Sequence, residues 1–317
     1  MPDDTEGLLR RDSHNPILSV RDLPHMEEGV FNPGAVTFRG QTLLLVRIED
    51  RGGTSRLALA RSDDGVTDWR IYEHPALRPH PDDYPEESLG IEDARITYLE
   101  ALGAYAIAYT AYSECGPLVS LMTTEDFERF SRLGAVLPPE NKDAALFPVQ
   151  FDSRWAMLHR PAPRMGDDRA HIWVGYSPDL RNWGEHRMVL NARHGSAHWD
   201  SGRIGLSAPP MLTDEGWLLL YHSARPTVGG KSYRVGLALL DRDEPTRVLA
   251  RSSEWILAPE ADYELLGQGG IVFPCGWIRD GDNVRIYYGA GDHSVALAHG
   301  RISDLLAWLH RHSGPSD

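Results

Sequence analysis

A spacing of about sixty residues constrains this chain more than any other feature. Five short apolar segments each close on a polar or small residue: TLLLVR (42–47), YAIAYT (105–110), WAMLHR (155–160), WLLLYH (217–222) and VRIYYG (284–289). Their last residues, Arg47, Thr110, Arg160, His222 and Gly289, are 63, 50, 62 and 67 residues apart. Upstream of each lies a strand start that contains Gly, Pro or Asp: FNPGAV (31–36), IEDARI (91–96), DAALFP (143–148), LSAPPM (206–211) and IVFPCG (271–276). Downstream comes a third apolar segment closed by a polar turn, as in LALARSDDG (57–65) and VSLMTTEDF (119–127), with VALAHGRISD (295–304) a looser fifth copy. The unit is therefore strand, turn, strand, loop, strand, turn, strand. β-branched and aromatic residues fill the strands, and 30 Gly and 22 Pro punctuate them.

Repetition at this period marks an architecture of stacked or radial units. Four-stranded units of this size fit the blades of a propeller, which protects its sheet edges by radial repetition. The 317 residues hold five such units. The expected fold is all-β: one five-bladed β-propeller domain over 15–317, preceded by an N-terminal arm over 1–14. Helical periodicity is weak except in ISDLLAWLHRH (302–312), which predicts a short C-terminal helix. A two-sheet sandwich with coincidental spacing is the plainer alternative.

Charge narrows the partners. Lys and Arg number 32 against 46 Asp and Glu, a formal −14, so most of the surface repels nucleic acid and anionic membranes. Cys115 and Cys275 have no metal-ligand or disulfide-framework spacing. His194 and His198 stand four apart without an evident third ligand, so no metal is expected. The N-terminus is polar, without the apolar core of a secretory signal, and the most apolar stretches are strand-length. A cytoplasmic protein is the default expectation, and its short termini permit any homo-oligomeric state from monomer to hexamer.

A propeller gathers the first strand of every blade around a central channel. Corresponding ends of the inner strands and their turns would bring together Asn32, Arg47, Arg51, Asp93, Lys142, Arg160, His222 and Asp292. Basic groups and carboxylates at equivalent places in different blades imply a polar pocket that accepts an anion. Each residue also has a plain structural reading. Asn-Pro starts turns, Glu92-Asp93 can cap backbone amides, Arg51 and Lys142 can be solvated, and His222 can be a satisfied core polar. His159 adjoins Arg160 and on a strand faces the opposite way.

The motifs NPILSVRDLP (15–24), VFNPGAVTF (30–38), RIEDRGGTSRLALARSDDG (47–65), GIEDARIT (90–97), NKDAALFP (141–148), MLHRP (157–161), WDSGRIGLSAPPM (199–211), VFPCG (272–276) and YYGAGD (287–292) resemble glycoside hydrolase family 130. That family comprises β-mannoside phosphorylases and related β-mannosidases on a five-bladed propeller. The resemblance runs from about residue 15 to residue 300 and keeps the motifs in order.

It implies that Asp93 is the catalytic acid, which at a secluded channel mouth keeps its proton near neutral pH. It further implies that Arg51, Lys142, Arg160, His222 and Tyr233 hold phosphate, and that Asn32, Arg47 and Asp292 hold the sugar. The expected activity is an inverting β-mannoside phosphorylase. It would cleave β-linked mannosides, foremost β-1,4-mannooligosaccharides, to α-mannose 1-phosphate, with phosphate as co-substrate and no cofactor. The alternatives are a β-1,2-mannobiose or oligomannoside phosphorylase, an inverting β-mannosidase with Glu92, Glu49 or Asp50 as base, and a non-catalytic sugar-binding propeller. Trp199, Tyr109, Tyr112 and Tyr288 are the aromatic candidates for an acceptor sugar.

Overall fold

The computed structural model describes residues 7–23, 27–162, 169–195, 197–227, 230–266 and 270–313. Residues 1–6 of the expected arm, and the last four residues of the expected domain, lie outside them. The chain is nearly all β. A two-residue strand, β1 (Arg10–Arg11), precedes five successive units. Unit 1 is β2 (Gly29–Phe38), β3 (Gln41–Glu49), β4 (Ser55–Ser62) and β5 (Arg70–Tyr72). Unit 2 is β6 (Gly90–Leu99), β7 (Ala104–Ser113), β8 (Gly116–Thr124) and β9 (Ser131–Leu137). Unit 3 is β10 (Asn141–Phe151), β11 (Arg154–Pro161), β12 (Ile172–Ser177) and β13 (Gly184–Leu190). Unit 4 is β14 (Arg203–Leu206), β15 (Met211–Thr213), β16 (Gly216–Thr227), β17 (Gly230–Leu240) and β18 (Val248–Arg251). Unit 5 is β19 (Val272–Asp280), β20 (Asn283–Ala290) and β21 (Ser294–Arg301), and α1 (Ile302–Arg311) follows.

Each unit is an antiparallel meander in chain order. Units 1 and 2 join into one hydrogen-bonded sheet through a single parallel bridge, Ser55 to Gly90. The inner strand of unit 4 is broken between β14 and β15 by Ser207–Pro210, where Pro209 and Pro210 have no N–H to donate. Among the described residues, unit 5 has no fourth strand of its own. β1 supplies it by pairing with β21, Arg10 opposite His299 and Arg11 opposite Ala298.

Alternation along the strands sends apolar side chains to both faces, and they fill five large clusters, with a small sixth of Ile271, Phe273 and Cys275. One lies between units 1 and 2 (Leu45, Leu59, Ile107, Phe127), one between 2 and 3 (Leu121, Leu146, Met157). Two more lie between units 3 and 4 (Leu158, Phe147, Leu219) and between 4 and 5 (Leu220, Leu237, Ile286). The fifth lies between the last unit and the first (Val46, Ala58, Tyr287, Leu297). Unit packed on next unit, and last on first, is the order that propeller blades require. The helix α1 turns Leu305, Trp308 and Leu309 into the cluster of units 4 and 5. No described helix is long and apolar enough to cross a membrane.

Candidate active site

The inner strands of units 1, 2 and 3 carry the same irregularity. Register slips between Phe31 and Gly34 in β2, between Glu92 and Arg95 in β6, and between Lys142 and Ala145 in β10. In each bulge one polar residue takes a left-handed backbone: Asn32 at φ 49°, Asp93 at 53° and Asp143 at 55°. Asn and Asp tolerate that conformation better than other side chains, because they bond their own backbone. A bulge re-aims a side chain away from the pleat, and here it turns three of them into one buried cluster. Asn32 Nδ2 donates to Asp93 Oδ1 at 2.8 Å.

The second strands add the next layer by cross-strand register. Arg47 stands opposite Phe31, Arg160 opposite Lys142, and His222 opposite Gly205. Tyr233 enters from β17, opposite Ala224, and Asp292 from the turn after β20. A cavity of about 110 Å³ is lined by Asn32, Arg47, Asp93, Lys142, Asp143, Arg160, His222, Tyr233 and Asp292, with Ile271 and Phe273 as its apolar wall. Lys142, Arg160 and Tyr233 also line an adjoining basin of about 770 Å³. Tyr233 and Asp292 line a second basin, of about 980 Å³.

Arg47 organises the acidic side. Its guanidinium lies 2.9 Å from Glu49, 3.0 Å from Glu92 and 3.4 Å from Asp93, and its Nε donates to Ser55 Oγ. Lys142 Nζ is 3.9 Å from Glu92. On the cationic side Asp143 faces Arg160 Nε at 3.0 Å, Arg95 at 3.2 Å and His222 Nε2 at 3.4 Å. The other His222 nitrogen, Nδ1, lies 3.3 Å from Ser207 Oγ.

These surroundings push the carboxyls apart. Burial alone would raise Asp93, but Arg47, Arg95, Lys142 and the Asn32 hydrogen bond outweigh it, and its net direction is down. This runs against the expectation that seclusion holds the proton on Asp93: three nearby cations favour its charged form over what burial alone would do. Asp143 is held well below the usual carboxylate range, since Arg160, His222 and Arg95 overcome its burial. Asp292 moves the other way, up to about 6, because burial and the charges of Asp93, Glu49 and Glu92 exceed the pull of Arg47. More than a third of its surface is open to solvent, which tempers that shift. Burial lowers His222 despite Asp143, and burial followed by nearby carboxylates pushes Tyr233 up to about 12.

Eight of the nine residues proposed from sequence therefore line one cavity. Arg51 does not. It is exposed in the β3–β4 turn, which Asp50 fastens by accepting from the backbone of Gly52 and Thr54. Of the aromatic candidates, Tyr112 alone lines a basin beside the site. Trp199 is buried on Tyr221, while Tyr109 and Tyr288 are buried and donate to Glu87 and Glu264. His159 faces away from the cavity, toward Asn141 and His186. The sequence reading missed Asp143. The signal was present: it occupies the bulge position of Asp93 one unit later, next to Lys142.

A family model described as beta-1,4-mannooligosaccharide phosphorylase matches residues 9–311. A beta-1,2-mannobiose phosphorylase of Listeria innocua is 42% identical over 256 residues, 80% of this chain and 69% of that protein. A 1,2-beta-oligomannan phosphorylase of Thermoanaerobacter is 33% identical and covers 94% of this chain and 98% of its own length. The solved structure of a Listeria innocua beta-1,2-mannobiose phosphorylase with beta-1,2-mannobiose superposes with a TM-score of 0.86 at 33% identity, covering 96% of this chain and 99% of that one. Matched over residues 9–311 by the family model, and carrying the motifs of that family around one cavity, the chain belongs to glycoside hydrolase family 130.

Proposed function

We propose that this protein is an inverting β-mannoside phosphorylase. The observation that carries the reading is the composition of the cavity: Lys142, Arg160, His222 and Tyr233 share it with Asp93, Asn32, Arg47 and Asp292. A hydrolase needs a second carboxylate to activate water, whereas phosphate is already a nucleophile and needs cations and donors to hold it. Glu49 and Glu92 are both committed to Arg47, and Asp50 to its turn, which leaves none of the three well suited as a base.

In the proposed reaction a phosphate oxygen attacks the anomeric carbon as the bond to the acceptor oxygen breaks. That oxygen takes a proton from Asp93, through a sugar hydroxyl as the family resemblance implies, and α-mannose 1-phosphate is released. Asp93 must be protonated to do this. A phosphate dianion beside Lys142 offsets one of the cations that hold Asp93 down, so co-substrate binding moves the acid toward its working form.

For the linkage we favour β-1,2 over the β-1,4 expected from sequence. The support is that relatives of 42% and 33% identity are named for β-1,2 substrates. The test is mannoside cleavage with and without inorganic phosphate, paired with synthesis from α-mannose 1-phosphate and mannose, the product linkage read by NMR. Phosphate-dependent cleavage and a β-1,2 product are expected. Free mannose released at the same rate without phosphate would end the phosphorylase reading, and a β-1,4 product the linkage.

A further inference from the structure

We infer that Asp143 is a positioning residue for the co-substrate, fixing Arg160 and His222 in the arrangement that grips phosphate. The inference rests on the phosphorylase reading of the cavity. The groups that would hold phosphate come from different units: Arg160 from β11 of unit 3, His222 from β16 of unit 4. No single sheet ladder sets their separation. Asp143 touches both, and its other oxygen, Oδ1, accepts from Arg95 of unit 2 at 3.2 Å. All four side chains are buried. One carboxylate thus ties three units together beside the cavity that Arg160 and His222 line.

The contact geometry indicates how it acts. Asp143 Oδ2 approaches Arg160 Nε at 3.0 Å, yet neither atom has a well-directed hydrogen-bond partner among the described residues. The pair is held by charge rather than by an aligned bond. A guanidinium offers five N–H donors in a fixed fork. With Asp143 at the Nε corner, the two terminal nitrogens remain for a bidentate grip on phosphate. The backbone of β14 closes behind the pair: a Cβ at Gly205 would stand 2.2 Å from Asp143 Oδ2 and 2.8 Å from the His222 ring. A carboxylate this close to an anion site repels the anion, so its benefit has to be alignment.

Asp143→Asn isolates the charge, because Asn adopts the left-handed backbone of the bulge as readily as Asp does. The experiment measures initial rates of the whole enzyme with inorganic phosphate and mannoside varied separately, in wild type, Asp143→Asn, Arg160→Gln and the double variant. Thermal unfolding and phosphate titration calorimetry accompany each. The expected result for Asp143→Asn is a rise of about tenfold or more in the KM for phosphate, with the mannoside KM changed less than about twofold. In the Arg160→Gln background the same substitution should raise the phosphate KM by clearly less than in wild type, since only its effect through His222 remains. A lower phosphate KM would mean that Asp143 only repels, and would overturn the inference. Independent, multiplying effects of the two substitutions, or equal losses for both substrates together with a lower Tm, would also overturn it. If the wild type turns over equally without phosphate, this inference and the phosphorylase reading fail together. If phosphate dependence stands but the phosphate KM of Asp143→Asn does not rise, this inference alone fails.

Discussion

His159 and Arg160 are chain neighbours on β11 with opposite surroundings. Arg160 lines the cavity, whereas His159 is buried between Asn141 and the ring of His186, 3.0 Å away. Burial, and then the neighbouring His186, push His159 down to about 3. In the unfolded chain a histidine binds its proton near 6.5. Between those values the unfolded state binds more protons than the folded one, so stability falls as the pH drops. This one residue should cost the fold about 2–3 kcal/mol between pH 7.5 and pH 4.5. Urea unfolding of His159→Gln at the two pH values checks this: the variant should lose less stability than wild type on acidification. An unchanged difference would show that His159 is charged in the fold or linked to other groups. The period-2 rule sufficed to separate the two residues in the sequence. It could not place Asp143, because a bulge breaks that rule at the position that matters.

At the scale of elements, the site depends on strands of neighbouring units approaching one another without side chains between them. Gly205 on β14 lies against Asp143 and His222, and a Cβ on Gly289 of β20 would meet Asn32 Oδ1 at 2.0 Å. Gly205→Ala should displace the carboxylate and the imidazole together. The expected loss is roughly a hundredfold in kcat/KM for phosphate, with about 1–3 kcal/mol of stability. Steady-state kinetics and thermal unfolding test this, and near wild-type turnover would show that the pair can shift without consequence. The three bulges of β2, β6 and β10 are the other element-scale device. Their residue types, FNPG, IEDA and KDAA, were visible as Gly-, Pro- and Asp-bearing strand starts. That they turn inward by a left-handed residue was not, because a bulge is defined by the partner strand.

At the scale of the whole molecule, the ring is completed by the chain's beginning. β1 gives unit 5 its fourth strand, and Arg11 reaches buried Glu264 at 2.8 Å and Glu260 at 2.9 Å. Glu264 also accepts from Tyr288 and from the backbone of Glu260 and Ala261. Arg11→Ala removes the cation but leaves those donors, so a loss of about 1–3 kcal/mol is expected rather than collapse. A Tm indistinguishable from wild type would show that β1 is held by its ladder alone. Read by itself, the segment before residue 15 is a polar arm. Its partner, β21, lies nearly three hundred residues away, and no local pattern announces the pairing.

The sequence by itself determined the repeat, the strand types and the residues that a ring of such units must gather. Period and punctuation are local properties, and equivalent positions converge once units repeat around a centre. Only the tertiary structure decided which way each carboxyl's proton affinity moves and that Asp143 stands among the phosphate-binding candidates. It also decided that Arg51 faces solvent and that the first strand closes the last unit. Those outcomes depend on distances between charges from different units and on burial, and both exist only after the chain has come full circle.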